Sequence, residues 1–159
     1  MKKGDLFWAS DGSGEDSTSS SDDDNIIVEQ NRIYFYSEVK RPNILTLNKA
    51  LRNLDKELVN RSNTLDTDVP NIYLHIQSFG GSVFSAFSTI DYIRNSITPI
   101  HSVVEGCAAS AATLMSVVAK KRYINTHSYM LIHQLSSGAW GKYEEIKDEM
   151  KNCDRLMKM

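Results

Sequence analysis

Two cysteines, Cys107 and Cys153, are all that 159 residues contain. That excludes a disulfide scaffold and a four-cysteine zinc site, and makes a reducing compartment the default. Long apolar runs are missing too: the hydrophobic stretches are short and interrupted, well under the ~20 residues a membrane helix needs. After Lys2 and Lys3 comes only Leu6-Phe7-Trp8, with no apolar leader region, so secretion is not expected and a cytoplasmic location is. Nor is there a broad basic face. No cluster exceeds Lys120-Lys121-Arg122, which argues against a nucleic-acid partner. Bases are absent from residues 10–24, where five Asp and one Glu stand. Residues 1–24 hold seven acids against two lysines, so the formal net charge of −2 hides a net-positive remainder.

What is present is a globular balance, 41% hydrophobic and 24% charged. Residues 1–24 hold too little apolar surface to offset the entropy of ordering, and they read as a disordered acidic arm. Ser19, Ser20 and Ser21 each have an Asp three residues on, a pattern acidophilic kinases favour; a solubilising tail explains the composition more simply. Residues 25–159 are then a single domain.

Strand and helix periods alternate along that body. Ile26–Tyr36 is β-branched and aromatic, a strand broken near Gln30-Asn31. Leu47, Leu51, Leu54 and Leu58 recur at helical spacing, which predicts a helix over 43–60 and a polar loop over 61–70. Ile72–Gln77 reads as a strand, ended by Gly80-Gly81, and Val83, Phe87, Ile90 and Ile93 mark a second helix. His101–Glu105 reads as a short strand that Gly106 turns into a buried helix over Ala108–Ala119. Tyr123-Ile124 and Tyr129–His133 read as strands. Ile146, Met150, Cys153 and Met157 predict a last helix, still running at the end of the chain. The alternation argues for an α/β domain with a largely parallel sheet.

Three segments could carry chemistry. In Gly106-Cys107-Ala108-Ala109-Ser110-Ala111-Ala112, every neighbour of Ser110 is small, as a nucleophile at a strand-to-helix turn requires. The N–H of Ala111 is placed to donate to an oxyanion. A serine at a helix start is equally an ordinary N-cap. Gly80-Gly81-Ser82-Val83 turns a strand into a helix, and paired glycines leave N–H groups unshielded; a tight connection would need them as well. His133 closes an apolar strand, where a base could take a serine's proton or the ring could be structural. His127, six residues earlier, falls on the same strand face, but no third ligand follows, and no metal is expected. His75 and His101 show no partner pattern.

Together the segments resemble the Clp protease proteolytic subunit, a serine peptidase family of ClpP/crotonase-like fold. The resemblance rests on Gly80-Gly81-Ser82-Val83, Ala108-Ala109-Ser110-Ala111 and Met130-Leu131-Ile132-His133-Gln134, in that order and at the family's spacings. It implies an α/β fold of repeated β-β-α units with a mainly parallel sheet and a C-terminal handle helix, here over Ser136–Gly141 and the residues from Tyr143. It implies Ser110 as nucleophile, His133 as general base, and the N–H groups of Gly81 and Ala111 as the oxyanion hole. Gly80, Ser82, Val83, Leu135, Ser136 and Ser137 would bind an extended substrate by backbone pairing. The implied function is hydrolysis of unfolded peptides through an acyl-enzyme, with no cofactor, in a homo- or hetero-oligomeric ring served by an AAA+ unfoldase. Phe79 and Leu135 stand where the family has prolines. The family's triad Asp follows the handle helix, inside which this chain is expected to end; Asp148 and Asp154 fall on that helix. That departure raises two rivals: a non-catalytic ring subunit, and more distantly an acyl-CoA enzyme of the same superfold, which leaves Ser110 and His133 unexplained.

Overall fold

The computed structural model describes residues 25–135 and 142–158; the acidic arm, Ser136 and Ser137 fall outside the described residues. The elements are β1 (Ile26–Glu29), β2 (Arg32–Phe35), α1 (Arg41–Leu65), β3 (Ile72–Ser78), α2 (Val83–Asn95), β4 (Ile100–Ala109), α3 (Ala111–Val117), β5 (Lys121–Ile124), β6 (Tyr129–Leu131) and α4 (Tyr143–Leu156). They form one six-stranded sheet in the order β1-β2-β3-β4-β5, with β6 also on β4. Only β1 and β2 pair antiparallel among the described strands, so the sheet is the mainly parallel one expected. β4 is long enough to serve two partners in turn. Its first half pairs β5 (His101 with Lys121) and its second half pairs β6 (Ala109 with Leu131).

The period-2 pattern decides which face is dry. Ile33, Phe35, Leu74, Ile76 and Val104 are all buried and share a core with Leu47, Leu51 and Leu54 of α1 and Met115 of α3. Arg32, Tyr34, Tyr73, His75, His101 and Tyr123 alternate with them onto the opposite face. Pro42 opens α1, where a missing N–H costs nothing.

Several boundaries differ from the sequence expectation. α1 runs on to Leu65 because Ser62, small and 3% exposed, continues the stripe of Leu54 and Leu58. β4 does not stop at Gly106. That glycine (φ +69) sits where the β3–β4 register shifts between Ile76 and Ser78, so it makes a bulge within the strand. α3 is consequently seven residues long and starts at Ala111. α4 is helical from Tyr143 to Leu156, with Met157 as its C-cap. No described helix is long and apolar enough to cross a membrane.

Candidate active site

Ser110 takes φ 52 and ψ −126, a conformation that costs a residue with a side chain about 1–3 kcal/mol. The surroundings enforce it. Its N–H donates to the Leu131 carbonyl at 2.8 Å, and its carbonyl accepts the N–H (3.0 Å) and hydroxyl (2.6 Å) of Thr113. Ala108, Ala109, Ala111 and Ala112 around it are all buried. Such strain persists only where the structure over-determines it, and it gathers at functional turns.

The glycine turn lies directly on this serine. A Cβ at Gly80 would fall 2.6 Å from the Ala109 carbonyl oxygen, 2.7 Å from Ser110 Cβ and 3.1 Å from Ala111 N. Gly81 forms a parallel bridge with Val39. In that bridge the Val39 N–H donates to Gly80 and its carbonyl accepts from Ser82, both at 2.8 Å. Bridge geometry thus uses the groups on either side of Gly81 and leaves Gly81's own N–H aside. The N–H of Ala111, first in its helix, has no carbonyl one turn earlier in the helix to meet. Neither N–H has a hydrogen-bond partner among the described residues. Ser82 caps α2 by accepting the Ser85 N–H at 3.2 Å, and Val83 packs against the core.

His133 lies two residues past the end of β6 rather than in it. Because Ala109 pairs with Leu131, Ser110 and Ile132 are level and His133 comes next, at the same end of adjacent parallel strands. The ring is exposed, with Nδ1 2.6 Å from the Gln134 carbonyl oxygen. Among the described residues no hydrogen bond joins it to Ser110. His127 falls in the turn before β6, not on a strand face with His133. Asp148 pairs with Lys151 on α4 at 2.8 Å, and Asp154 is exposed on the same helix. No group of three potential metal ligands occurs among the described residues. Two surface hollows lie away from the turn: about 330 Å³ between α1 and α2 around Arg52 and Asp91, and about 570 Å³ beside Gly106 and His127.

Sequence reading missed a charged cluster on the face opposite the core. His75, 5% exposed, is 2.7 Å from Glu105 through Nδ1 and 2.9 Å from Arg32 Nη1 through Nε2. Arginine has only donors, so Nε2 accepts and Nδ1 gives its hydrogen to Glu105. The Tyr36 hydroxyl donates to the other Glu105 oxygen, and Tyr34 stacks on His75 at 4.5 Å. Burial, then the bond to Glu105, pushes the Tyr36 phenol up to about 12. Burial also draws Glu105 upward, but the hydrogen bonds from Tyr36 and His75 outweigh it and hold the carboxyl below its usual range. A depressed carboxyl stabilises the fold above its unfolded pKa, and the stabilisation is lost as pH falls through the folded value. Urea midpoints should therefore drop below about pH 4 in the native chain. Glu105→Gln should start lower at pH 7 and fall less steeply; parallel acid limbs would show that this carboxyl contributes nothing.

A family model for Clp protease matches residues 19–159. The chain is 34% identical over 87 residues to an ATP-dependent Clp protease proteolytic subunit 2 of Treponema denticola, covering 54% of this chain and 44% of that protein. It is 32% identical over 117 residues to a proteolytic subunit 2 of Synechococcus, covering 70% and 59% respectively. The chain thus spans about half the length of these relatives. A solved structure of a ClpP1 variant from Listeria monocytogenes superposes with a TM-score of 0.63 over 77% of this chain and 63% of that one, at 22% identity. That likeness is one of fold. With the family model spanning the sheet, the glycine turn, the Ser110 turn and α4, the chain belongs to the Clp protease family.

Proposed function

We propose that this chain is a serine-type peptidase subunit that cleaves unfolded peptides through an acyl-enzyme on Ser110. The observation that carries the reading is the strained Ser110 turn packed against Gly80. The Ser110 hydroxyl attacks the scissile carbonyl while His133 Nε2 takes its proton. The N–H groups of Gly81 and Ala111 receive the oxyanion, a task for donors with no prior partner. His133 returns the proton to the departing amine, and water then hydrolyses the ester by the same steps reversed. Residues 81–83 and 135–137 pair with an extended substrate backbone, which recognises chain rather than sequence. No cofactor enters these steps. α4 buries none of its residues, and its stripe of Ile146, Met150, Cys153 and Met157 suits contact with another subunit of a ring. An unfoldase partner fits a peptidase that takes unfolded chains.

One observation favours the second reading, a non-catalytic ring subunit: Ser110 and His133 share no hydrogen bond among the described residues. A fluorophosphonate separates the two. The native chain should be labelled at Ser110 and Ser110→Ala should not. A native chain left unlabelled at neutral pH, while folded, would leave the non-catalytic reading standing.

A further inference from the structure

His133 and α4 meet through one peptide group. The Gln134 carbonyl lies 2.6 Å from His133 Nδ1, and the N–H on the other side of the same peptide, that of Leu135, donates to the Met157 sulfur at 3.4 Å. The peptide is trans, so its C=O and N–H point opposite ways, and a partner on each side fixes its rotation. A carbonyl can only accept, so Nδ1 must carry the hydrogen. In the neutral ring Nε2 is then the nitrogen with the lone pair, the form a general base needs. The Met157 backbone is held in turn, because its N–H donates to the Cys153 carbonyl at 3.0 Å in the last turn of α4.

We propose that the Gln134–Leu135 peptide orients His133, and that Met157 is a positioning residue that holds this peptide and so links α4 to the general base. The inference rests on the reading of Ser110 and His133 as nucleophile and base. Donor–acceptor chains of this kind polarise one another, since a peptide whose N–H is engaged offers a better carbonyl acceptor.

The test uses the full chain and two readouts: the rate of fluorophosphonate labelling at Ser110, and the ¹⁵N NMR signals of the His133 ring. Met157→Leu keeps bulk and apolarity but removes the acceptor. It should slow labelling about three- to tenfold, the range a single hydrogen bond commonly spans. It should also move the ring from the Nδ1–H tautomer toward a mixture. Glu149→Gln, at an exposed position on the same helix and outside its apolar stripe, should change neither. Replacing Leu135 by its α-hydroxy acid weakens the Gln134 carbonyl and deletes the N–H together, and should have the larger effect. Unchanged rate and unchanged ring signals in Met157→Leu would overturn the proposal, as would a native His133 found in the Nε2–H form. A native chain unlabelled at Ser110 would instead overturn the peptidase reading, and the ring signals would still decide the orienting role.

Discussion

His133→Ala is expected to slow peptide hydrolysis by about 10²–10⁴-fold, with KM little changed. A serine hydroxyl is a weak nucleophile until a base removes its proton, and His133 is the imidazole that β6 brings to the Ser110 end of β4. Catalytic hydrogen bonds are often long without substrate and tighten in the Michaelis complex, so the unbonded Ser110–His133 pair is compatible with this role. Substrate binding in the proposal runs through backbone pairing at 81–83 and 135–137, which leaves the imidazole out of ground-state affinity. The deficit should therefore appear in kcat and, in parallel, in the labelling rate of Ser110. His133→Gln should be about as slow, since an amide cannot take the proton. A His133→Ala chain that hydrolyses peptide within threefold of the native rate would assign the base to another group.

How far the sequence could be read follows from which interactions are local. The glycine turn, the Ser110 turn and the alternation of strand and helix are short-range patterns; the alternation and the glycine turn fall where the sequence puts them, whereas the strand-to-helix change falls at Ser110 rather than at Gly106. α1 outran its prediction because burial of Ser62 depends on what faces it, not on its own polarity. In sequence Gly106 reads as a terminator, yet a glycine's positive φ serves a bulge as well as a stop, and only the β3–β4 register distinguishes them. The Arg32–His75–Glu105 cluster joins residues 43 and 30 apart in sequence. Strand parity puts His75 and Glu105 on one face, but pairing them needs the sheet order. The peptide between Gln134 and Leu135 was invisible for a different reason: its partners are a backbone carbonyl and a methionine sulfur, which leave no residue-type signature.

Gly80→Ala is expected to lower stability by about 2–4 kcal/mol and the melting temperature by about 10 °C. Two independent costs add at this position. The φ of +97 disfavours any side chain, and the new methyl would sit 2.6 Å from the Ala109 carbonyl oxygen and 2.7 Å from Ser110 Cβ. Neither neighbour is a flexible side-chain end that could swing aside. The Ala109 carbonyl belongs to a strand paired on both sides, and the Ser110 turn is held by Leu131 and Thr113. Gly80 cannot retreat easily, because its own carbonyl is bonded to the Val39 N–H at 2.8 Å. Gly106→Ala provides the comparison. It shares a positive φ, +69, but its methyl would meet only the Gln77 side chain at 3.5 Å, an ordinary contact. It should cost about 1 kcal/mol, the conformational penalty alone. The two variants therefore separate crowding from backbone preference, and the crowding acts on the nucleophile. Labelling of Ser110 should fall much further in Gly80→Ala than its lost stability explains at a temperature where both variants are fully folded. Equal melting temperatures for the two variants, or native labelling in Gly80→Ala, would show that the Gly80 contact with Ser110 is not what shapes the turn.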